Sequence, residues 1–252
     1  MNITTTRRLA ASGMAGAALL AIAGFTALGS IFDYPKILKE PTDHLLETFR
    51  ENQNAVTAWF LVLVISAALL APVGVLLGRI AGGTLGRWIA GVGIAAATVQ
   101  VIGLSRWVLL IPGVSDHATV PALTADAHRT FESLHFWLGT VIGETIGYAL
   151  TATFTVLVVR SVSVVRPVSR PAARVLGARW IGYLGYASAA LIATGVLVPF
   201  GVGPATMTNF IGYVAWCVWL IVMAVVLWRS PRATAGESIP AIAAGGAVAT
   251  GS

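Results

Sequence analysis

One carboxylate, Glu144, lies in the middle of a long apolar run and is the strongest candidate for chemistry in the sequence. A carboxylate at that depth in a bilayer is costly unless it is paired, protonated or turned toward a cavity. Tyr148 follows one helical turn later and can hydrogen-bond to it. Glu144 is therefore interpreted as a proton site, a cation site or a ligand anchor. The alternative is a buried structural carboxylate bonded to Arg106 or Tyr148.

Arg106 is a basic residue inside an apolar run, the one predicted as the third span. It lies six residues before Pro112, so its long side chain could snorkel to the nearby membrane surface. The alternative is a side chain that points inward and bonds to Glu144. Gln100 and Gly103 share its helix face, which predicts a polar strip turned toward the interior of a helix bundle.

His128, Glu132 and His135 form a second set of chemically capable residues. Their spacing of i, i+4 and i+7 places three side chains on one helix face, as a metal site requires, and His117 could add a donor from the preceding loop. A solvated rim is the alternative interpretation. On an α-helix, His135 would lie about 180° from Glu144, so the two residues are predicted to belong to separate sites.

Several enzyme and cofactor signatures are missing from the sequence. No apolar run has the central histidine that haem ligation needs. There is neither a Gly-x-Ser-x-Gly turn nor a phosphate-binding glycine loop. The single cysteine, Cys217, can form neither an internal disulfide nor a thiolate metal cluster. No cofactor is predicted, with a divalent metal at the histidines as the alternative, and binding is favoured over catalysis.

Gly139, Gly143 and Gly147 recur every four residues around Glu144. Such a strip of small residues lets another membrane helix approach closely. The strip is therefore predicted to pack a helix, and that helix could belong to this chain, to a second copy or to a membrane partner.

The elements that must position these residues are membrane helices. The chain has 252 residues, of which 57% are hydrophobic and only 10% are charged, whereas a soluble domain carries about 25% charged residues. Continuous apolar runs that can cross roughly 30 Å of hydrocarbon must be helical. The predicted fold class is all-α, an integral membrane six-helix bundle over residues 1–229. Its spans are predicted at about 9–31, 55–78, 88–112, 133–159, 176–200 and 207–228.

Charge predicts how the bundle is oriented. Eleven of the sixteen basic residues fall in the two termini and in alternate gaps between spans, whereas all four histidines fall on the other side. The positive-inside rule then predicts that both termini are cytoplasmic. The net charge of +6 is explained by this bias, so the lipid bilayer and not nucleic acid is the predicted partner.

Two long loops, residues 32–54 and 113–132, are predicted on the outer side, the first with a short interfacial helix after Pro41. Residues 230–252 are rich in Ala and Gly and have little to bury, so they are predicted to form a disordered cytoplasmic tail.

Two stretches carry a family resemblance. Residues 32–41 read FDYPKILKEP directly after the first span, and residues 209–216 in the last span read NFIGYVAW. With the six-span layout, they resemble the bacterial membrane proteins grouped as domain of unknown function 4386, over roughly residues 10–228. The resemblance implies a multi-pass protein of the bacterial plasma membrane. It implies no activity and no catalytic residues.

Three functions are compatible with these residues. The favoured one is a small-molecule or ion binding and transport module that opens to the outer face and uses Glu144 and Arg106 as polar anchors. The first alternative is a non-catalytic membrane subunit that docks a partner or a second copy through its glycine-rich fourth helix. The weakest is a metal-dependent membrane enzyme.

Overall fold

The computed structural model describes residues 2–164 and 172–229, and every regular element in those ranges is a helix. Six segments are long and apolar enough to cross a membrane, which confirms the predicted all-α, six-span class. The segments are Ile3–Ile31, Gln53–Ala81, Gly83–His117, Thr124–Ser161, Arg179–Phe200 and Gly203–Arg229. The predicted tail, residues 230–252, and part of the loop between spans four and five lie outside the described residues.

Ten α-helices occur within the described ranges. They are α1 (Ile3–Ile31), α2 (Thr42–Glu51), α3 (Gln53–Ala68), α4 (Leu70–Ala81), α5 (Gly83–Leu109), α6 (Ile111–His117), α7 (Thr124–Leu134), α8 (Gly147–Val164), α9 (Ala172–Ala193) and α10 (Gly203–Arg229). There are also two short 3-10 helices: Lys36–Lys39 follows span one, and Thr194–Phe200 forms the last part of span five. A π-helix, His135–Ile146, joins α7 to α8.

Prolines explain two of the breaks. Pro72 lies in the first turn of α4 and has no N–H to donate to the carbonyl of Ala68, which is where α3 ends. Pro112 likewise lies at the start of α6, where it separates this helix from α5. The second and third spans therefore each consist of two helices.

The region expected as a loop at residues 113–132 is mostly helical, because it comprises the end of α6 and most of α7. A helix also follows Pro41, as predicted, and this helix is α2. The three short helices α2, α6 and α7 pack on one another at one end of the bundle. We call that end the capped end and the opposite one, which carries Arg8, Arg79 and Arg229, the arginine end.

The six spans form a closed ring. Each span packs against the next one in sequence, and α10 of the sixth span packs against α1 of the first. Residues that point into the ring are therefore surrounded by helices of the same chain.

Two apolar clusters fill this ring. The arginine-end cluster takes residues from all six spans, and four of its large side chains, Met14, Ile89, Phe154 and Trp219, are completely buried. The capped-end cluster is aromatic and takes its residues from spans one to four and from the cap: Leu28, Phe32, Ile37, Leu45, Leu46, Phe49, Val56, Phe60, Leu63, Trp107, Ile111, Val114, Ala127 and Phe131. Among the described residues, none from spans five and six belongs to this second cluster.

Polar contacts hold the cap together. The His128 imidazole lies 2.9 Å from the Asp43 carboxylate, which joins α7 to α2. The Arg50 guanidinium donates a hydrogen bond of 3.2 Å to the carbonyl of Ser115, which joins α2 to α6. The cap is thus a small assembly of its own over the ends of the first four spans.

Candidate functional site

Arg106 is buried in the ring and does not reach the membrane surface. Its side chain is folded back along α5, because one terminal nitrogen, Nη1, donates a 2.6 Å hydrogen bond to the carbonyl of Gly103, one turn earlier. Only 4% of the residue is exposed. The snorkelling interpretation is therefore wrong, and the guanidinium points toward the middle of the bundle.

The helix that faces Arg106 is the π-helix. A Cβ added to Gly139 would lie 2.7 Å from the other terminal nitrogen of Arg106, Nη2. One turn further along, Gly143 and Gly103 meet backbone to backbone, since a Cβ on Gly143 would lie 3.0 Å from the Cα of Gly103. Gly147 approaches the Gln100 side chain in the same way. All three glycines of the strip therefore pack against α5 of the same chain.

This internal packing bears on the docking alternative. A strip that is covered by α5 presents no small-residue face to a second copy or to a membrane partner. The feature that motivated docking through the fourth helix is thus used inside the bundle.

The π-helix also changes the relation between His135 and Glu144. Its hydrogen bonds run from residue i to i+5, so each residue advances fewer degrees around the axis than in an α-helix. The separation of about 180° assumed α geometry, and that assumption is wrong for His135–Ile146. The charge of Arg106 acts on both side chains, so the structure brings His135 and Glu144 to the same arginine.

Glu144 has charged and hydroxyl groups around it but no direct partner. Its carboxylate interacts electrostatically with Arg106, Tyr34, Tyr148 and Tyr213, which come from four different elements. Within the described part of the chain, no ion pair within 4.0 Å and no hydrogen bond involves the Glu144 side chain. The residue is only half-buried. The bond to Arg106 or Tyr148 that a purely structural carboxylate would need is therefore not made.

Tyr34 reaches this site from the segment that follows α1. Its ring packs edge-on against Phe60 at 5.3 Å between centroids, at the margin of the capped-end cluster. Burial, and to a smaller extent the Glu144 carboxylate, raise the pKa of Tyr34 to about 12, although the Arg106 guanidinium acts in the opposite direction. The phenol of Tyr34 thus interacts electrostatically with both the Glu144 carboxylate and the Arg106 guanidinium. Sequence reasoning missed this residue, although it lies within the stretch 32–41 that carries the family resemblance.

A set of hydrogen bonds begins at Gln100, which follows the Gly103 contact by one helical turn toward the arginine end. The Gln100 amide donates to the Thr151 hydroxyl at 2.6 Å, and the Thr155 hydroxyl donates to the Thr151 carbonyl at 2.8 Å. The Trp216 indole in turn donates to the Thr155 hydroxyl at 2.8 Å. The rings of Tyr148 and Tyr213 meet edge-on beside it at 5.7 Å. Spans three, four and six are thereby linked by polar groups at the boundary of the two apolar clusters.

The four predicted metal ligands, His117, His128, Glu132 and His135, have separate partners and surroundings. His128 is bonded to Asp43, and the Glu132 carboxylate accepts a 3.4 Å hydrogen bond from the Thr42 hydroxyl. The ring of His135 stacks on Phe131. His117 is exposed at the end of α6. Among the residues that the structure describes, no three His, Cys, Asp or Glu side chains meet in a group that could hold a metal ion.

These features define a class: a multi-pass helical membrane protein whose closed ring of six spans encloses an arginine and a glutamate. The sequence profile of the family described as domain of unknown function (DUF4386) matches residues 14–224, so this chain belongs to that family. No curated protein and no solved structure matches the chain.

Proposed function

We propose that this protein is a binding and transport module for a small polar molecule, with Arg106 and Glu144 as its anchors. The observation that carries this proposal is the unpaired state of the half-buried Glu144 beside a buried arginine. Charges without direct partners are costly in a membrane interior, so a pair kept only for stability would be in contact. A ligand between the two side chains would give each of them a partner.

The distribution of apolar side chains supports access from the capped end. All six spans contribute to the arginine-end cluster, which closes the ring there. In the described ranges, the capped-end cluster takes its residues from spans one to four and the cap and none from spans five and six, so the ends of those two spans stay outside it. In this proposal, the ligand enters between the cap and these two spans. By the positive-inside rule, the proposal places the arginine end on the cytoplasmic side. The membrane in this proposal is the bacterial plasma membrane.

A cysteine-accessibility experiment tests the proposal. Cys217 is first replaced by alanine, and Gln100→Cys and Ile102→Cys are then compared in sealed vesicles with a cationic, membrane-impermeant thiol reagent. We expect position 100 to react because it borders the proposed chamber, and position 102 to remain unreacted because its side chain is exposed on the outer surface of the ring, where lipid would cover it. Equal protection of both positions would overturn the proposal.

Orientation is tested in the same background. Glu47 lies exposed on α2, and Thr84 lies exposed at the start of α5 on the arginine side. We expect Glu47→Cys to react from outside the cell and Thr84→Cys to react only after permeabilisation. The reverse pattern would place the proposed entrance on the cytoplasmic side.

A further inference from the structure

One edge of the Arg106 guanidinium has no partner. Nη1 is occupied by the Gly103 carbonyl, whereas Nε is completely buried and, within the described part of the chain, makes no hydrogen bond. Nη2 likewise donates to none of the described residues, and Gly139 packs against the guanidinium, since a Cβ added there would lie 2.7–3.1 Å from Nη2, Cζ and Nη1. Two adjacent N–H groups that point the same way match the two oxygens of a carboxylate. His135 adds a second buried nitrogen without a partner, Nδ1.

The charge balance of the site limits what this edge can hold. The described residues around it supply one permanent positive charge, Arg106, and one carboxylate, Glu144. When Glu144 is ionised, it balances Arg106, and an added anion would leave a net negative charge in a medium of low dielectric constant. When Glu144 is protonated, a monovalent anion restores the balance. A dianion, such as a phosphate monoester, would exceed it.

We propose that the site binds a monovalent organic carboxylate together with one proton, with the carboxylate on the Nε–Nη2 edge of Arg106 and the proton on Glu144. This inference rests on the proposed function and names its ligand class. The proton comes from water and forms an O–H bond on the Glu144 carboxylate, and no bond of the ligand breaks.

Other groups around the site could also exchange protons. Arg106 from α5, Tyr34 from the segment after α1, Tyr148 from α8 and Tyr213 from α10 interact with Glu144, and His135 from the same π-helix interacts with Arg106. An arginine stays charged and tyrosines stay neutral between pH 5.5 and 8. His135 is therefore the one competitor for the proton in that range, and it needs its own variant.

The test uses the purified full chain in detergent with acetate and benzoate as probes, and acetamide and benzamide as uncharged controls. We expect the carboxylates, and not the amides, to raise the midpoint of thermal unfolding. Their apparent affinity should fall by up to about tenfold per pH unit as the pH rises from 5.5 to 8, because one proton is taken up per anion. Calorimetry in two buffers of different ionisation enthalpy should give an uptake of one proton.

Variants separate the roles of the side chains. E144Q should bind benzoate at every pH without pH dependence, whereas H135Q should keep the wild-type dependence. G139A should lose binding, because its methyl group would press on Nη2, Cζ and Nη1 and displace the guanidinium without removing its charge. R106Q should lose it as well. If R106Q does not fold, the inference is still tested by the loss of benzoate binding in G139A and by the proton uptake measured for the wild-type protein.

Three results would overturn the inference. The first is the absence of stabilisation by either carboxylate at pH 5.5, the second is equal stabilisation by the amides, and the third is proton uptake that disappears in H135Q but persists in E144Q. If Gln100→Cys nevertheless reacts with the aqueous reagent, the binding module stands and only its ligand class is wrong. If Gln100→Cys is also protected, both proposals fail.

Discussion

The two ends of the bundle bury apolar surface in different ways. At the arginine end, all six spans meet directly, and the helices approach through small residues: Gly78 of α4 faces the backbone of Gly86 in α5. At the capped end, four spans and three short helices bury large aromatic rings, such as Phe60 stacked on Trp107 at 4.8 Å. The Arg106–Glu144 site lies between the two regions. The comparison indicates that one half of the ring is built to stay closed and that the other carries the polar chemistry.

A close contact between two glycines of neighbouring helices occurs in each half of the bundle, so the two halves can be compared directly. In the contact between Gly78 and Gly86, each glycine lies against the carbonyl of the other. The contact between Gly103 and Gly143 lies beside Arg106 and Glu144. A glycine–glycine contact therefore brings α4 and α5 together at the arginine end, and a second one sets the separation of Arg106 and Glu144 at the site.

The largest effect is expected at the arginine end. In Gly86→Leu, the new side chain would meet the carbonyl of Gly78, which belongs to backbone and cannot rotate away. Overpacking of this kind costs about 3 kcal/mol of unfolding free energy. Thermal unfolding in detergent should show a large decrease in stability or a failure to fold.

Gly91→Leu is the matched control for that prediction. Gly91 lies on the same helix, and a Cβ added there meets nothing within 4 Å. We expect nearly wild-type stability, because leucine has a better helix propensity than glycine and would point to lipid. Equal losses in the two variants would show that the contact between α4 and α5 is not close.

A smaller loss of stability, but a loss of function, is expected at the site. In Gly103→Ala, the methyl group would lie 2.6 Å from the Cα of Gly143, so α5 and the π-helix must separate. We expect a loss of about 1–2 kcal/mol, measured by thermal unfolding against Gly91→Ala. Because the shift moves Glu144 relative to Arg106, binding of benzoate should weaken as well. Wild-type binding in a destabilised Gly103→Ala would mean that this contact does not set the geometry of the site.

The sequence predicts the elements of this fold better than the site that they form. The number and approximate positions of the spans follow from hydropathy, since lipid excludes polar residues, and the break before α4 follows from Pro72. Glu144 and Arg106 were found for the same reason, because each is too costly in a span to be incidental. Their direct bond was one expected alternative, and the structure does not form it.

What the sequence could not show depends on contacts between distant segments. No local pattern marks His135–Ile146 as a π-helix, so the angle between His135 and Glu144 was wrong. Tyr34 follows the first span, and only the tertiary fold brings its phenol to Glu144 and Arg106. Its position inside the family-like stretch 32–41 was the one signal that could have pointed to it.

The smallest effect concerns Tyr34, which connects the capped end to the charges of the site. Burial and Glu144 raise its pKa to about 12, compared with about 10 for an exposed tyrosine. A raised pKa means that the folded protein favours the neutral phenol. The stability associated with this preference is fully present below pH 10 and is lost as the pH rises from 10 toward 12.

The difference in absorbance at 295 nm between wild type and Tyr34→Phe should report this titration. In Glu144→Gln the same titration should move to lower pH and remain above 10, because burial is the larger cause and the carboxylate charge the smaller one. An unchanged titration in Glu144→Gln would separate Tyr34 from the site and leave it as a residue of the aromatic cap.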